Sequence, residues 1–120
     1  ARAALEGIAF ETMDIVEAMR KDAGIELGEL KVDGGVSNSN VTMQFQADLL
    51  GTKVVRPTCV ETTAKGAAYL AGLAVGFWAD IDEIKAQWAV DKIFTPTMPI
   101  EKVNSAKAGW RDALSRVLRK

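Results

Sequence analysis

Histidine is absent from the 120-residue chain, and cysteine occurs once, at Cys59. Without imidazole there is no Ser-His or Cys-His nucleophile pair, no histidine proton shuttle and little means of ligating zinc. A single thiol closes no internal disulfide and offers no second sulfur to a metal, so a cytoplasmic address is expected. An excess of one charge is also missing. Fifteen basic residues face sixteen acidic ones for a net −1, which gives no field to gather nucleic acid or an anionic membrane. No apolar run approaches the ~20 residues of a membrane span, and no basic-then-apolar stretch opens the sequence. Any chemistry must come from carboxylates, lysines, backbone amides or a bound cofactor.

What is present is a folding composition. Hydrophobic residues make up 48% of the chain, too many for a disordered tail. The length suits one domain that buries roughly two-thirds of its unfolded surface. Leu5, Ile8, Thr12, Ile15, Val16 and Met19 fall on one face at helical spacing, predicting a helix from Ala1 or before to about Ala23, stopped by Gly24. No capping residue precedes it, so the sequence reads as a piece of something longer.

Short strands are expected at Leu30-Lys31-Val32 and Lys53-Val54-Val55. Between them Met43, Gln46 and Leu50, with Phe45 and Leu49 beside them, mark a helix that ends at Gly51. Thr62 and Thr63 are placed to cap a third helix over about 64–75, so uniformly apolar that burial on all sides is expected. Its Gly66, Gly72 and Gly76 suggest close packing or the approach of a ligand. Asp80 caps a short helix through Trp88, Ile93-Phe94-Thr95 is extended, and Ala106, Trp110, Ala113, Leu114 and Val117 line a last helix. The alternation indicates an α/β layered domain with a short-stranded sheet.

The most informative segment is Lys31-Val32-Asp33-Gly34-Gly35-Val36-Ser37-Asn38-Ser39-Asn40. Two glycines after a strand let a ligand approach the backbone. A helix starting near Asn38 would aim its free N–H groups at the same point, which suits a phosphate. Asp33 is placed to meet a magnesium ion through water or to act as a base. The local pattern by itself favours an ordinary strand-to-helix turn, because it is neither a Walker loop nor a dinucleotide fingerprint.

Val32-Asp33-Gly34-Gly35 followed by Met43-Gln44-Phe45-Gln46-Ala47-Asp48-Leu49-Leu50-Gly51 resembles the C-terminal domain of the glycerol kinases, a branch of the FGGY carbohydrate kinase family in the actin/Hsp70/hexokinase superfamily. The runs over 2–10 and 61–78, and Ala108-Gly109-Trp110, extend the resemblance across the chain. It implies the C-terminal part of a ribonuclease-H-like, actin-like ATPase domain over residues 1–120, without the N-terminal domain that carries the catalytic base and most of the glycerol site. It further implies a share in Mg²⁺-ATP-dependent phosphorylation of glycerol to glycerol 3-phosphate, with ADP as the other product. The isolated chain would be inactive, and the full-length protein a homo-oligomer.

By position, Gly35 matches the family glycine whose backbone nears the nucleotide phosphates, with Gly34 beside it and Asp33 close by. The family often has asparagine four residues after that glycine. Ser39 stands there, flanked by Asn38 and Asn40. Enteric relatives bind a regulator near their C-terminus, but Pro99-Ile100-Glu101 departs from that pattern, so the regulation is not carried over. The alternatives are a sister kinase acting on xylulose or gluconate, and a non-catalytic interaction module.

Overall fold

The computed structural model describes residues 1–118. Its element order is α1 (Arg2–Ala23), β1 (Glu29–Lys31), a 3-10 turn (Gly35–Asn38), α2 (Asn40–Leu50), β2 (Lys53–Pro57), α3 (Thr62–Ala74), α4 (Ile81–Lys85), β3 (Val90–Phe94) and α5 (Ile100–Val117). The predicted α/β alternation is the observed one. Gly24 and Gly51 end α1 and α2 in the left-handed conformation, each returning its N–H to the last turn of its helix. Asp80 caps α4 by accepting from the Glu83 N–H, as its type and place predict.

The sheet has the order β1-β2-β3. β1 and β2 run parallel, with Leu30 opposite Val54, and α2 forms the crossover between them. β3 returns antiparallel to β2, with a register shift at Arg56/Pro57. Met43 and Ala47 of α2 pack against Val54 and Phe94, so one face of α2 covers the sheet. The opposite side meets α1, where Ala9, Phe10, Met13 and Val16 enclose Leu49 and Leu50. Gln46 is buried between the two and satisfies its amide by donating to the Ala9 carbonyl. Arg20 ties the far end of α1 down, donating to Thr52 Oγ1 at 2.6 Å and to the Leu50 carbonyl.

The buried face of α1 differs from the one the periodicity favours. Of the six predicted positions only Val16 is fully buried, while Ile8, Ile15 and Met19 are exposed. The helix carries two apolar stripes, and the one that includes Phe10 wins because α5 supplies a partner for it. Trp110 stacks flat on Phe10 at 5.1 Å and donates its indole N–H to Asp14. Lys107 bridges to Glu17 at 2.8 Å beside it. In α5 itself Ala106, Trp110 and Leu114 turn inward, whereas Ala113 and Val117 face solvent.

Two expectations about α3 are overturned. Gly72 is its one fully buried residue, and Leu70 is 71% exposed. The three-stranded sheet has no strand beneath this helix, so its apolar faces find little to cover them. Nor do its glycines serve contact with the sheet. Gly66 has open space around it, Gly76 takes a positive φ in the following turn, and a β-carbon at Gly72 would run into the Trp78 ring. Trp78, held edge-on by Tyr69 and Phe77, folds back over the glycine. A Gly72→Ala substitution is therefore expected to push the indole outward at a cost of about 1–3 kcal/mol. Urea denaturation and tryptophan emission would register it. An unchanged midpoint with unchanged emission contradicts the packing.

No helix among the described residues is long and apolar enough to cross a membrane.

Candidate functional site

The loop between β1 and α2 is built by backbone geometry first. Val32 continues the parallel ladder by donating to the Val55 carbonyl, and the chain then leaves the sheet at Asp33. Gly34 adopts φ 80° and ψ 170°, a region open in practice to glycine alone. Its N–H donates to the Val60 carbonyl at 2.8 Å, which pins the loop to the strand-to-helix connection after β2. The 3-10 turn follows. The Ser37 N–H and hydroxyl both donate to the Gly34 carbonyl, the hydroxyl at 2.6 Å.

Gly34 and Gly35 have nothing within 4 Å of where a β-carbon would stand, so the loop surface is bare backbone facing open space. The helix begins at Asn40, two residues later than the sequence suggests, because residues 35–38 are wound more tightly. Its positive end still points toward this loop. A cavity of about 780 Å³ opens beside Ser39, Asn40 and Thr42, with Arg2 and Lys92 also in its lining. A smaller one of about 330 Å³ lies on the flank of Asp33, Val36 and Ser37. Both volumes fall within the range of small-molecule sites.

All six predicted residues lie along this loop, but their side chains are not equally free. Ser39 is the N-cap of α2: its hydroxyl oxygen accepts from the Thr42 N–H at 3.3 Å and shares a bond with the Thr42 hydroxyl. Asn40 Oδ1 accepts from Arg56 at 2.9 Å. Asp33 accepts a hydrogen bond from the Thr62 hydroxyl. Asn38 is exposed and is the member of the 38–40 trio whose side chain is not drawn into the fold. Thr62 was expected to cap α3. Its hydroxyl turns to Asp33, and α3 starts without a side-chain cap.

Sequence reasoning missed Arg56. The available signal was a charged residue in a short strand whose other buried positions are Val54, Val55 and Pro57, since a buried guanidinium demands acceptors.

The profile of the FGGY family of carbohydrate kinases, C-terminal domain, matches residues 1–75. The chain belongs to this family. It is 56% identical over 114 residues to a glycerol kinase of Burkholderia vietnamiensis, matching 95% of this chain and 23% of that relative. Among solved structures, glycerol kinase of Plasmodium falciparum with ADP superposes with a TM-score of 0.81 at 38% identity, covering 99% of this chain and 24% of that one. A ligand-bound xylulose kinase of Lactobacillus acidophilus gives 0.72 at 25% identity, over 95% of this chain and 24% of its own. The FGGY chain described here thus spans about a quarter of the length of its relatives. Its α/β architecture is that of the actin-like ATPase fold family.

Proposed function

We propose that the chain is part of the nucleotide-binding domain of a glycerol kinase, which transfers the γ-phosphoryl group of ATP to glycerol. The observation that carries the reading is the gradient of likeness within one family. Sequence and backbone both lie nearer to an ADP-bound glycerol kinase than to a xylulose kinase.

In this proposal the bare backbone at Gly34 and Gly35 takes the phosphates, and the positive end of α2 adds charge stabilisation. Asn38 supplies the side-chain contact, since the Ser39 hydroxyl is committed to the helix cap. Phosphoryl transfer relies on positioning and electrostatics more than on covalent help from the protein, so a site without histidine suits it.

The described residues do not by themselves make a magnesium site. Among the described residues no three carboxylate, thiol or imidazole groups cluster to hold a metal, and Asp33, the carboxylate at the loop, is bonded to Thr62. In this reading Mg²⁺ arrives with the nucleotide, and any protein ligands to it come from the rest of the kinase. The general base and most of the glycerol site come from the rest of a longer, cytoplasmic, oligomeric kinase. The exposed apolar faces of α3 and of α1 at Ile8, Ile15 and Met19 are where that remainder packs.

Co-expression with the N-terminal part of a related glycerol kinase should restore ATP-dependent glycerol phosphorylation. Turnover of xylulose or gluconate with none of glycerol rules out the substrate and leaves a sister kinase. ADP added to the isotopically labelled chain should shift the amides of Gly34, Gly35 and Asn38. A folded chain with no shift at millimolar ADP argues against a nucleotide role for this loop and for a non-catalytic module.

A further inference from the structure

Arg56 lies near the end of β2, and its side chain is only 10% exposed. Every face of its guanidinium is engaged. Nη1 donates to the Ser37 carbonyl and to Asn40 Oδ1, both at 2.9 Å. Nε and Nη2 both reach Asp91 Oδ2 at 2.8 Å. The plane also lies over the Phe94 ring at 5.3 Å.

These partners are not scattered. Ser37 is in the 3-10 turn and Asn40 is the first residue of α2, so one side chain grips both halves of the glycine loop's C-terminal arm. Ser37 is itself 2% exposed and bonds back to the Gly34 carbonyl. A continuous path therefore runs from Asp91 on β3 through Arg56 and Ser37 to the glycine with the unusual dihedral angles.

We propose that Arg56 is the positioning residue of the nucleotide loop, and that Asp91 orients Arg56 for that task. The proposal rests on the reading of Gly34–Asn40 as the phosphate-binding loop. Arg56 lines neither cavity beside the loop and acts through the groups it holds. It fixes the height of the loop above the sheet and the angle at which α2 presents its N-terminus. The planar fork matters here, because the guanidinium serves acceptors in three directions at once, which an ammonium on a flexible stem does not reproduce.

The test uses the full-length kinase that contains this chain, with ATP and the polyol it accepts. Arg56→Lys is expected to raise KM for ATP about tenfold while KM for the polyol stays within about twofold. Asp91→Asn, at a half-exposed position, is expected to raise KM for ATP by about threefold. Equal KM values for ATP in wild type and Arg56→Lys overturn the proposal. So does a parallel rise in both KM values, which marks a scaffold role only. Should Arg56→Lys not fold, Asp91→Asn decides alone, and an unchanged KM for ATP overturns it. Failure of the glycerol reading shows separately, in the wild-type enzyme's choice of polyol.

Discussion

Replacing Gly34 by alanine is expected to cost about 1–3 kcal/mol of stability and to weaken ADP binding by about tenfold or more. No clash is involved, because the space where the new methyl would stand is empty. The cost is conformational: φ 80° with ψ 170° is a region that a β-carbon disfavours strongly. Relief requires rotating the peptide, which breaks the bond to Val60 or the pair of bonds from Ser37. Gly35→Ala makes the informative contrast. Gly35 has no positive φ and equal room, so stability should hardly change. Its methyl would nonetheless stand in the proposed path of the phosphates. Thermal melts and ADP titration of the two variants should separate conformation from access. An alanine at 34 that leaves both quantities at wild-type values sinks this account of the loop.

Phe10→Ala is expected to have the larger effect on stability, about 3–5 kcal/mol. The ring is the shared partner of two others: Phe45 of α2 meets it edge-on at 5.4 Å, and Trp110 of α5 stacks on its face. Truncation opens a cavity where α1, α2 and α5 join, and the collapse available to it is limited by the buried Met13 and Leu49. Near-ultraviolet circular dichroism from the stacked indole should fall along with the denaturation midpoint. Trp110→Phe keeps most of the stacking and loses the bond to Asp14, so it should cost only about 1 kcal/mol. Equal losses in the two variants contradict the stacking argument.

The elements that could be read from the sequence are those fixed by local signals. Gly24 and Gly51 stop helices, Asp80 starts one, and the Asp-Gly-Gly turn follows a strand, each through chemistry contained in a few adjacent residues. What escaped depends on partners far along the chain. The period of α1 admits two apolar stripes, and only the arrival of Trp110 selects the one with Phe10. Uniform apolarity in α3 says that the helix wants cover, but not that the three strands here leave it uncovered. Thr62 looks like a cap until Asp33, 29 positions earlier, offers its hydroxyl a charged acceptor. At the loop, the six candidate residues were legible as a group. Their division of labour was not, because Ser39 is claimed by α2 and Asn40 by Arg56, and neither claim has a local signature.

The bond between Trp110 and Asp14 spans 96 positions. On a ribosome adding about 5–20 residues per second, α1 therefore waits roughly 5–20 s between its own emergence and that of its stacking partner. Phe45 reaches Phe10 earlier and shields one edge of the ring, but the ring face stays wet until α5 is made. The first helix of the chain is consequently among the last to be fully sheltered, and for that interval its apolar face is open to whatever else in the cell binds greasy helices.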